Sequence, residues 1–374
     1  MASKVTDVTV YRYRLHSVRP FHMTEVGKPA VHTTIPAAQL TIRAVQPTIR
    51  DVAKKAGVSI ATVSRVMSNH DNVRDSTRER VTTAIAELQF TPSSLGRSLA
   101  ERRHAANGIV FPDLSGPYYA EVVLGYESVA AELGRSVLIL STNGRDAAPS
   151  MAEEMAGRCD GLVIMGRTVP DEVVVRIARR GLPLVLLARP QIGGIDSVQA
   201  ENVETAHVLT RHVINGGARD IVFVGDPISS PDVAERWTGV SRAVSEVDGI
   251  TLSEERPDGF SETAGVEVAR RALQGKLPDA FIFTNDELAL GALGELRTRG
   301  VDVPGQVCVT GWDDVMAARY AGLTTVRQPM RELGAMAARL LDELITGSRT
   351  EPRHVVLPTE LVVRTSCGTS RKEK

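Results

Sequence analysis

From Asn107 onward, short apolar runs alternate with amphipathic stretches, and few architectures accept that pattern. GIVFPDL, SVLIL, GLVIM, LPLVLLA, DIVFVG, AFIFTN and VCVTGWDD are strand-sized and largely apolar, as strands covered on both faces of a parallel sheet are. Helical spacing recurs between them at residues 118–133, 172–180, 204–215, 233–247 and 287–299. Such alternation specifies an α/β fold with a doubly wound sheet. Residues 105–366 exceed the length of one such sheet, which predicts two lobes with a ligand crevice at the carboxyl ends of their strands.

With 374 residues, 43% hydrophobic and 4% aromatic, the chain has room for a large aliphatic core and additional domains. Its longest apolar run, residues 182–188, falls far short of the roughly 20 residues of a membrane span. No membrane partner is expected. Cys159, Cys308 and Cys367 are odd in number and scattered, which points to a reducing compartment, the cytoplasm, and away from structural zinc. Arg12, Arg14 and Arg19 are not followed by the apolar segment of a secretory signal. Residues 1–46 show no sustained period and contain Pro20, Pro29 and Pro36. They are expected to be a disordered leader, or an upstream extension of a start at Met23 or Val45. Residues 1–46 and 47–103 each carry an excess of about four positive charges, so a basic front precedes an acidic body. That is weak support for a polyanion-binding front module.

Residues 47–91 are expected to form a small head. Thr48 with Asp51 opens a helix whose Ile49, Val52, Ala53 and Ala56 share a face, and Gly57 ends it. Ser59 is positioned to cap a second helix with Val63, Val66 and Met67 inward. Ser76 with Glu79 opens a third, burying Val81, Ala84, Ile85 and Leu88. Two helices joined by a tight Gly turn, the second beginning with small residues and turning Ala61, Ser64, Arg65 and Ser68 outward, match a helix-turn-helix. Ile60 and Ala61 suit thymine methyls, and Arg65 suits guanine or phosphate. Ser59, Thr62, Ser64 and Asn69 supply further hydrogen bonds in a major groove. A plain three-helix packing module has the same spacing. Residues 92–104 hold one or two helical turns, capped by Ser93 or Ser94 and weakened by Gly96; these order only against a partner.

Motifs for nucleotide, nucleophile or zinc chemistry are not found, and His207 and His212 are five apart, on different sides of their helix. No enzymatic activity, cofactor or metal is expected. Asn285-Asp286 and Asp313-Asp314 follow strands and read as polar binding groups.

TIRDVAKKAGVSIATVSRVMS, VRDSTRERV, FTPSSLGRSLA, TNDELALGAL, VTGWDD, LTTVRQP and PTELVVRTSCG together resemble, in order, the LacI/GalR family of bacterial transcription regulators. The resemblance covers Pro47 to about Gly368. It implies a DNA-binding head, a hinge helix and a periplasmic-binding-protein-like core that dimerises. The residues near 324–347 would return to the first lobe, and residues 354–364 would form a last strand in the second. It also implies that Ser93, Gly96, Arg97 and Leu99 serve the hinge, with Leu99 wedged into the minor groove. Tyr118, Tyr119, Arg189, Arg236, Asn285, Asp286 and Asp313 would line the effector cleft, although Asp286 equally suits a helix cap. Ala188 stands where many relatives have Asp, and Glu201-Asn202 where Asp-Asn is usual.

The resulting expectation is a cytoplasmic, nucleoid-associated regulator, a repressor rather than an activator. Its partners are a palindromic double-stranded DNA operator, a small polar effector such as a sugar, and a second copy of itself, as a homodimer or tetramer. The competing reading is a sugar-binding or sugar-processing protein whose helical head only oligomerises. Residues 367–374 are read as a tail.

Overall fold

The computed structural model describes residues 47–67, 72–90 and 104–368, which fall in two compact units divided after Thr91. The first holds α1 (Ile49–Ala56), α2 (Ile60–Met67) and α3 (Asp75–Leu88). Asp51 Oδ2 accepts from the Thr48 backbone N–H (2.8 Å) and hydroxyl (2.7 Å), fixing the start of α1. Gly57, in the left-handed region at φ 62°, stops it. Val52, Ala53, Ala56, Val63, Val66, Val81, Ala84 and Phe90 make one core. Two expectations shift. Met67 is 36% exposed rather than inward, and α3 begins at Asp75 with no side-chain cap, so Ser76 lies within its first turn.

The second unit is a pair of parallel sheets. Lobe 1 has strand order β11-β5-β4-β3-β1-β2, from β1 (Ala106–Phe111), β2 (Ser136–Ser141), β3 (Gly161–Met165), β4 (Leu184–Leu187), β5 (Asp196–Ala200) and β11 (His354–Leu357). Helices α4 (Pro117–Glu132), α5 (Ala148–Ala156), α6 (Asp171–Arg179) and α12 (Met330–Thr346) cover it. Lobe 2 has order β7-β6-β8-β9, from β6 (Asp220–Val224), β7 (Thr251–Glu255), β8 (Ala280–Phe283) and β9 (Cys308–Thr310). It carries α7 (Val203–Asn215), α8 (Pro231–Ser245), α9 (Glu262–Ala272), α10 (Asp286–Thr298) and α11 (Met316–Ala321). The apolar central strands β1, β3, β4 and β8 are buried along their whole length, as strands covered on both faces require.

The chain crosses between lobes three times: after β5, after β10 (Thr325–Arg327), and before β12 (Glu360–Val362), which pairs antiparallel with β10. One expectation is corrected here. Residues 354–357 pair in parallel with β5 in lobe 1, Val355 against Val198, so only the segment from β12 onward belongs to lobe 2. Val355 and Leu357 pack into the lobe 1 core, whereas Leu361 packs beside Val326 in lobe 2.

A second correction concerns the cysteines. Cys308 and Cys367 are joined in a disulfide, because Ser366 runs alongside β9, its carbonyl accepting from Val309 N–H and its hydroxyl donating to the Val309 carbonyl. Cys159 remains a buried thiol whose pKa burial pushes up to about 11. No described helix is long and apolar enough to cross a membrane.

Candidate functional site

In the head, α2 presents one face to solvent and buries the other. Val63 and Val66 anchor it in the core, while Ser59, Ile60, Ala61, Ser64 and Arg65 are exposed and Thr62 is half-buried. Ser59 Oγ accepts from Thr62 N–H at 3.1 Å and lies 2.9 Å from the Thr62 hydroxyl, so these two side chains first serve the helix start. Arg65 has no acidic partner among the described residues. The exposed face therefore holds short side chains, Ile60 and a guanidinium with no acidic partner among the described residues. Asn69, Ser93, Gly96, Arg97 and Leu99, and the outward position expected of Ser68, lie outside the described residues.

In the core, the loops after β1, β6, β8 and β9 converge between the lobes, where parallel strands leave their carboxyl ends. Pro117 at the first turn opens α4 and sets Tyr118 and Tyr119 against each other edge to face, centroids 5.3 Å apart. Both belong to lobe 1, yet Tyr118 lies in the field of Asp232, Asp313 and Arg236, and Tyr119 in that of Asp313, Glu287 and Asp232, all from lobe 2. Burial, then these carboxylates, raises both phenols. The lobes also touch at two edges. Arg167 Nη1 donates to the Ile228 carbonyl at 3.0 Å, and Gly116 lies so close to the Glu287 carboxylate that a Cβ there would displace it.

Arg236 is the hub of the lobe 2 wall. It is buried, Nε donates to Asn202 Oδ1 at 2.9 Å, Nη1 donates to the Thr284 carbonyl at 2.6 Å, and its guanidinium carbon sits 4.4 Å from the Trp312 ring centroid. Asn202 Nδ2 in turn donates to Glu235 (3.0 Å) and, at 3.4 Å, to Asp232. Asp313, held at φ 120°, accepts from Gln328 Nε2 at 2.5 Å. Desolvation raises Asp232, Glu235, Glu287 and, most strongly, Asp313 above the usual carboxylate range; Arg236 opposes this for all but Glu287.

Of the residues expected in the cleft, Tyr118, Tyr119, Arg236 and Asp313 come together. Three others are engaged elsewhere. Arg189, fully buried, donates to the Gly166 and Val169 carbonyls and pairs with Asp171, all within lobe 1. Asn285, not Asp286, caps α10, its Oδ1 accepting from Leu288 N–H at 3.2 Å. Asp286 instead accepts from Thr325 Oγ1 (2.6 Å) and Val315 N–H (2.9 Å), tying α10 to β10 and to the loop after β9. Asp314 pairs with Arg327 and Arg364 and so stands apart from Asp313. Asp232, Glu235, Glu287 and Gln328 were not singled out by the sequence, and Asn202 was noted only as part of a Glu-Asn pair standing where Asp-Asn is usual. The spacing of Asp232, Glu235 and Arg236 (i, i+3, i+4) on one helix face just after Pro231 was the available signal.

Burial pushes Asp286 up to about 7. The folded protein therefore keeps this proton over a range where the unfolded chain has released it, and stability falls as pH rises from about 4 to about 7. The stability advantage of wild type over Asp286→Asn should accordingly shrink across that interval and level off above it. Denaturant midpoints at pH 5, 6, 7 and 8 measure this, and a pH-independent difference would refute it.

Together, an exposed helix-turn-helix face and a two-lobed cleft define the class of ligand-controlled DNA-binding regulators. Residues 48–93 match the bacterial regulatory proteins of the lacI family, and residues 210–367 match the periplasmic binding protein-like domain. The transcriptional regulator RegA of Clostridium saccharobutylicum is 32% identical over 84% of this chain and 98% of its own, and DegA of Bacillus subtilis (strain 168) is 32% identical over 84% and 96%. The lac repressor dimer bound to operator and the anti-inducer ONPF is similar, with 28% identity, a TM-score of 0.77, and coverage of 86% of this chain and 99% of that one. So is a complex of the regulator CelR with cellobiose, with 30% identity, a TM-score of 0.63, and coverage of 86% and 99%. The chain belongs to the LacI family and is a DNA-binding transcriptional regulator. Its relatives are regulators rather than enzymes.

Proposed function

We propose that this protein is a homodimeric, cytoplasmic repressor that binds a palindromic operator and releases or tightens on it when a small polar effector, a sugar or similar metabolite, occupies the interlobe cleft. The observation that carries the reading is α2, anchored by Val63 and Val66 with Ile60, Ala61, Ser64 and Arg65 turned to solvent. Ile60 and Ala61 are assigned to thymine methyls and Arg65 to guanine or phosphate, with Ser64 and Asn69 adding hydrogen bonds. Leu99 is assigned to the minor groove at the operator centre, flanked by Ser93, Gly96 and Arg97. In the cleft, Tyr118, Tyr119, Arg236 and Asp313 are assigned to the effector. The effector couples to DNA by linkage: it favours one lobe arrangement, and the operator must change effector affinity by the same factor.

Binding to a palindromic duplex should weaken on the order of a hundredfold between about 50 and 200 mM salt, because phosphate contacts release counterions. Arg65→Ala should lose roughly 5- to 100-fold in operator affinity and less in affinity for random DNA. Fluorescence anisotropy on both duplexes measures the ratio. Equal affinity for palindrome and random DNA at physiological salt would reject the regulator mechanism, and an unchanged ratio in the variant would reject base contact by Arg65.

A further inference from the structure

The cleft walls carry four carboxyl groups against one guanidinium, and the imbalance has a direct chemical consequence. Asp232, Glu235 and Glu287 come from helix starts in lobe 2 and Asp313 from the loop after β9, and the tyrosines of lobe 1 feel three of the four. The cation acting on Tyr118, Asp232, Glu235 and Asp313 is Arg236. Its guanidinium is already committed to Asn202, the Thr284 carbonyl and the face of Trp312. Arg189, the other cation expected here, is turned into lobe 1 on Gly166, Val169 and Asp171, and Arg167 is engaged on Ile228.

A second, independent observation concerns Gln328, 4% exposed. Its Nε2 is fixed on Asp313, which leaves Oε1 an acceptor with no donor among the described residues. Tyr118 and Tyr119, both half-buried, stand on the facing wall in lobe 1. Buried acceptors without donors are costly, and a ligand rich in O–H or N–H groups would satisfy them. A ligand phosphate or carboxylate brings acceptors only and would meet carboxylates at short range in a low-dielectric site.

We infer that the effector is a hydrogen-bond-donor-rich molecule without negative charge, a neutral polyol or amine-bearing sugar, and that the cleft rejects phosphorylated sugars and sugar acids. This deepens the effector reading above and rests on it. The excess of carboxylates selects against anions, while Tyr118 and Tyr119 supply the apolar faces that sugar rings lie on. Glu287, at the edge where Gly116 of lobe 1 meets lobe 2, acts as the outer part of the filter and the Asp313–Gln328 pair as the inner part.

The test is a thermal-shift and calorimetric panel on the full chain in matched sets: glucose with glucosamine, glucose 6-phosphate and gluconate; ribose with ribose 5-phosphate; cellobiose with cellobionate; trehalose with trehalose 6-phosphate. At least one neutral or amine-bearing member should raise the melting temperature, with its anionic counterpart at least about tenfold weaker. Glu287→Gln should narrow that ratio severalfold. An anionic member binding as tightly as its neutral parent would overturn the inference. So would a panel in which no neutral or amine-bearing member binds, or a ratio unmoved by Glu287→Gln. Operator binding of the same preparation separates the two levels. Intact operator binding with an anion-selective cleft defeats this inference alone, whereas loss of discrimination between palindromic and random DNA defeats the regulator mechanism.

Discussion

Replacing Gly334 by leucine is expected to cost about 3 kcal/mol or more and to lower the melting temperature of the core by roughly 6 to 12 °C. The reason lies in how α4 and α12 meet. A Cβ at Gly334 would fall well inside 3.0 Å of the Val122 carbonyl oxygen, and a Cβ at Gly125 would do the same to that of Arg331. The two helices therefore touch backbone to backbone through reciprocal glycines. A side chain at either position forces them apart and loosens Val122, Tyr126 and Val129 from Leu333, Ala337, Ala338 and Leu341, all buried in the lobe 1 core. Lobe 2 repeats the device: Gly265 faces the Leu288 carbonyl and Gly291 that of Glu262. Gly294 supplies the control. It is an exposed position in the interior of α10 with nothing within 4 Å of its would-be Cβ, so Gly294→Ala should stabilise by about 0.5–1 kcal/mol. Equal effects at Gly334 and Gly294 would mean that the glycines act through helix propensity and not through close approach.

These glycine contacts also mark a limit of reading the chain locally. The strands β1, β3, β4, β6, β8 and β9, legible as apolar runs, owe their pattern to burial, whereas β2 is apolar at an edge with its residues half-buried or exposed. β7, TLSEE, lies at an edge with its outer residues exposed and carries no such signal. β5, DSVQA, is buried but polar, because Asp196 pairs with Arg349 and Ser197 Oγ bonds His354 Nδ1 at 2.6 Å. Both partners are more than 150 residues away. The lobe exchange and the Cys308–Cys367 bond depend on the same kind of distant pairing, which no local period encodes.

The cleft follows the same rule. Residues directly after apolar strands could be located from sequence, and Asp313 lies in the cleft. Their tasks could not be assigned, because Asn285 takes the cap at Leu288 N–H while Asp286 is drawn to Thr325 and Val315, partners that only folding brings near. Arg189 followed a strand as Asp313 does, but Asp171 and two carbonyls turned it inward. Gln328 and Asn202 sit at lobe crossings, where function comes from the return of the chain and not from neighbours in sequence.

Arg236→Leu should show what the single engaged cation does. With the guanidinium gone, Asn202 Oδ1 and the Thr284 carbonyl lose their donor, and Asp232, Glu235 and Asp313 lose the charge that opposes their desolvation. Uncompensated buried charges of this kind cost roughly 3 to 5 kcal/mol. The carboxyls can relieve part of that cost by holding protons, so the deficit relative to wild type should grow as pH rises from 5 to 8. Operator binding, carried by the head, should survive, while the response of operator affinity to a neutral sugar that shifts wild type should be lost. Arg236→Lys separates charge from geometry: a lysine keeps the positive charge but cannot span Asn202 and the Thr284 carbonyl as a planar fork. It should recover much of the stability at pH 8 and little of the effector response. Measuring denaturant midpoints at both pH values and operator affinity with and without the sugar decides between the roles. A leucine variant that still responds to effector would make Arg236 a scaffold residue, and the selectivity of the cleft would then rest on its carboxylates and tyrosines alone.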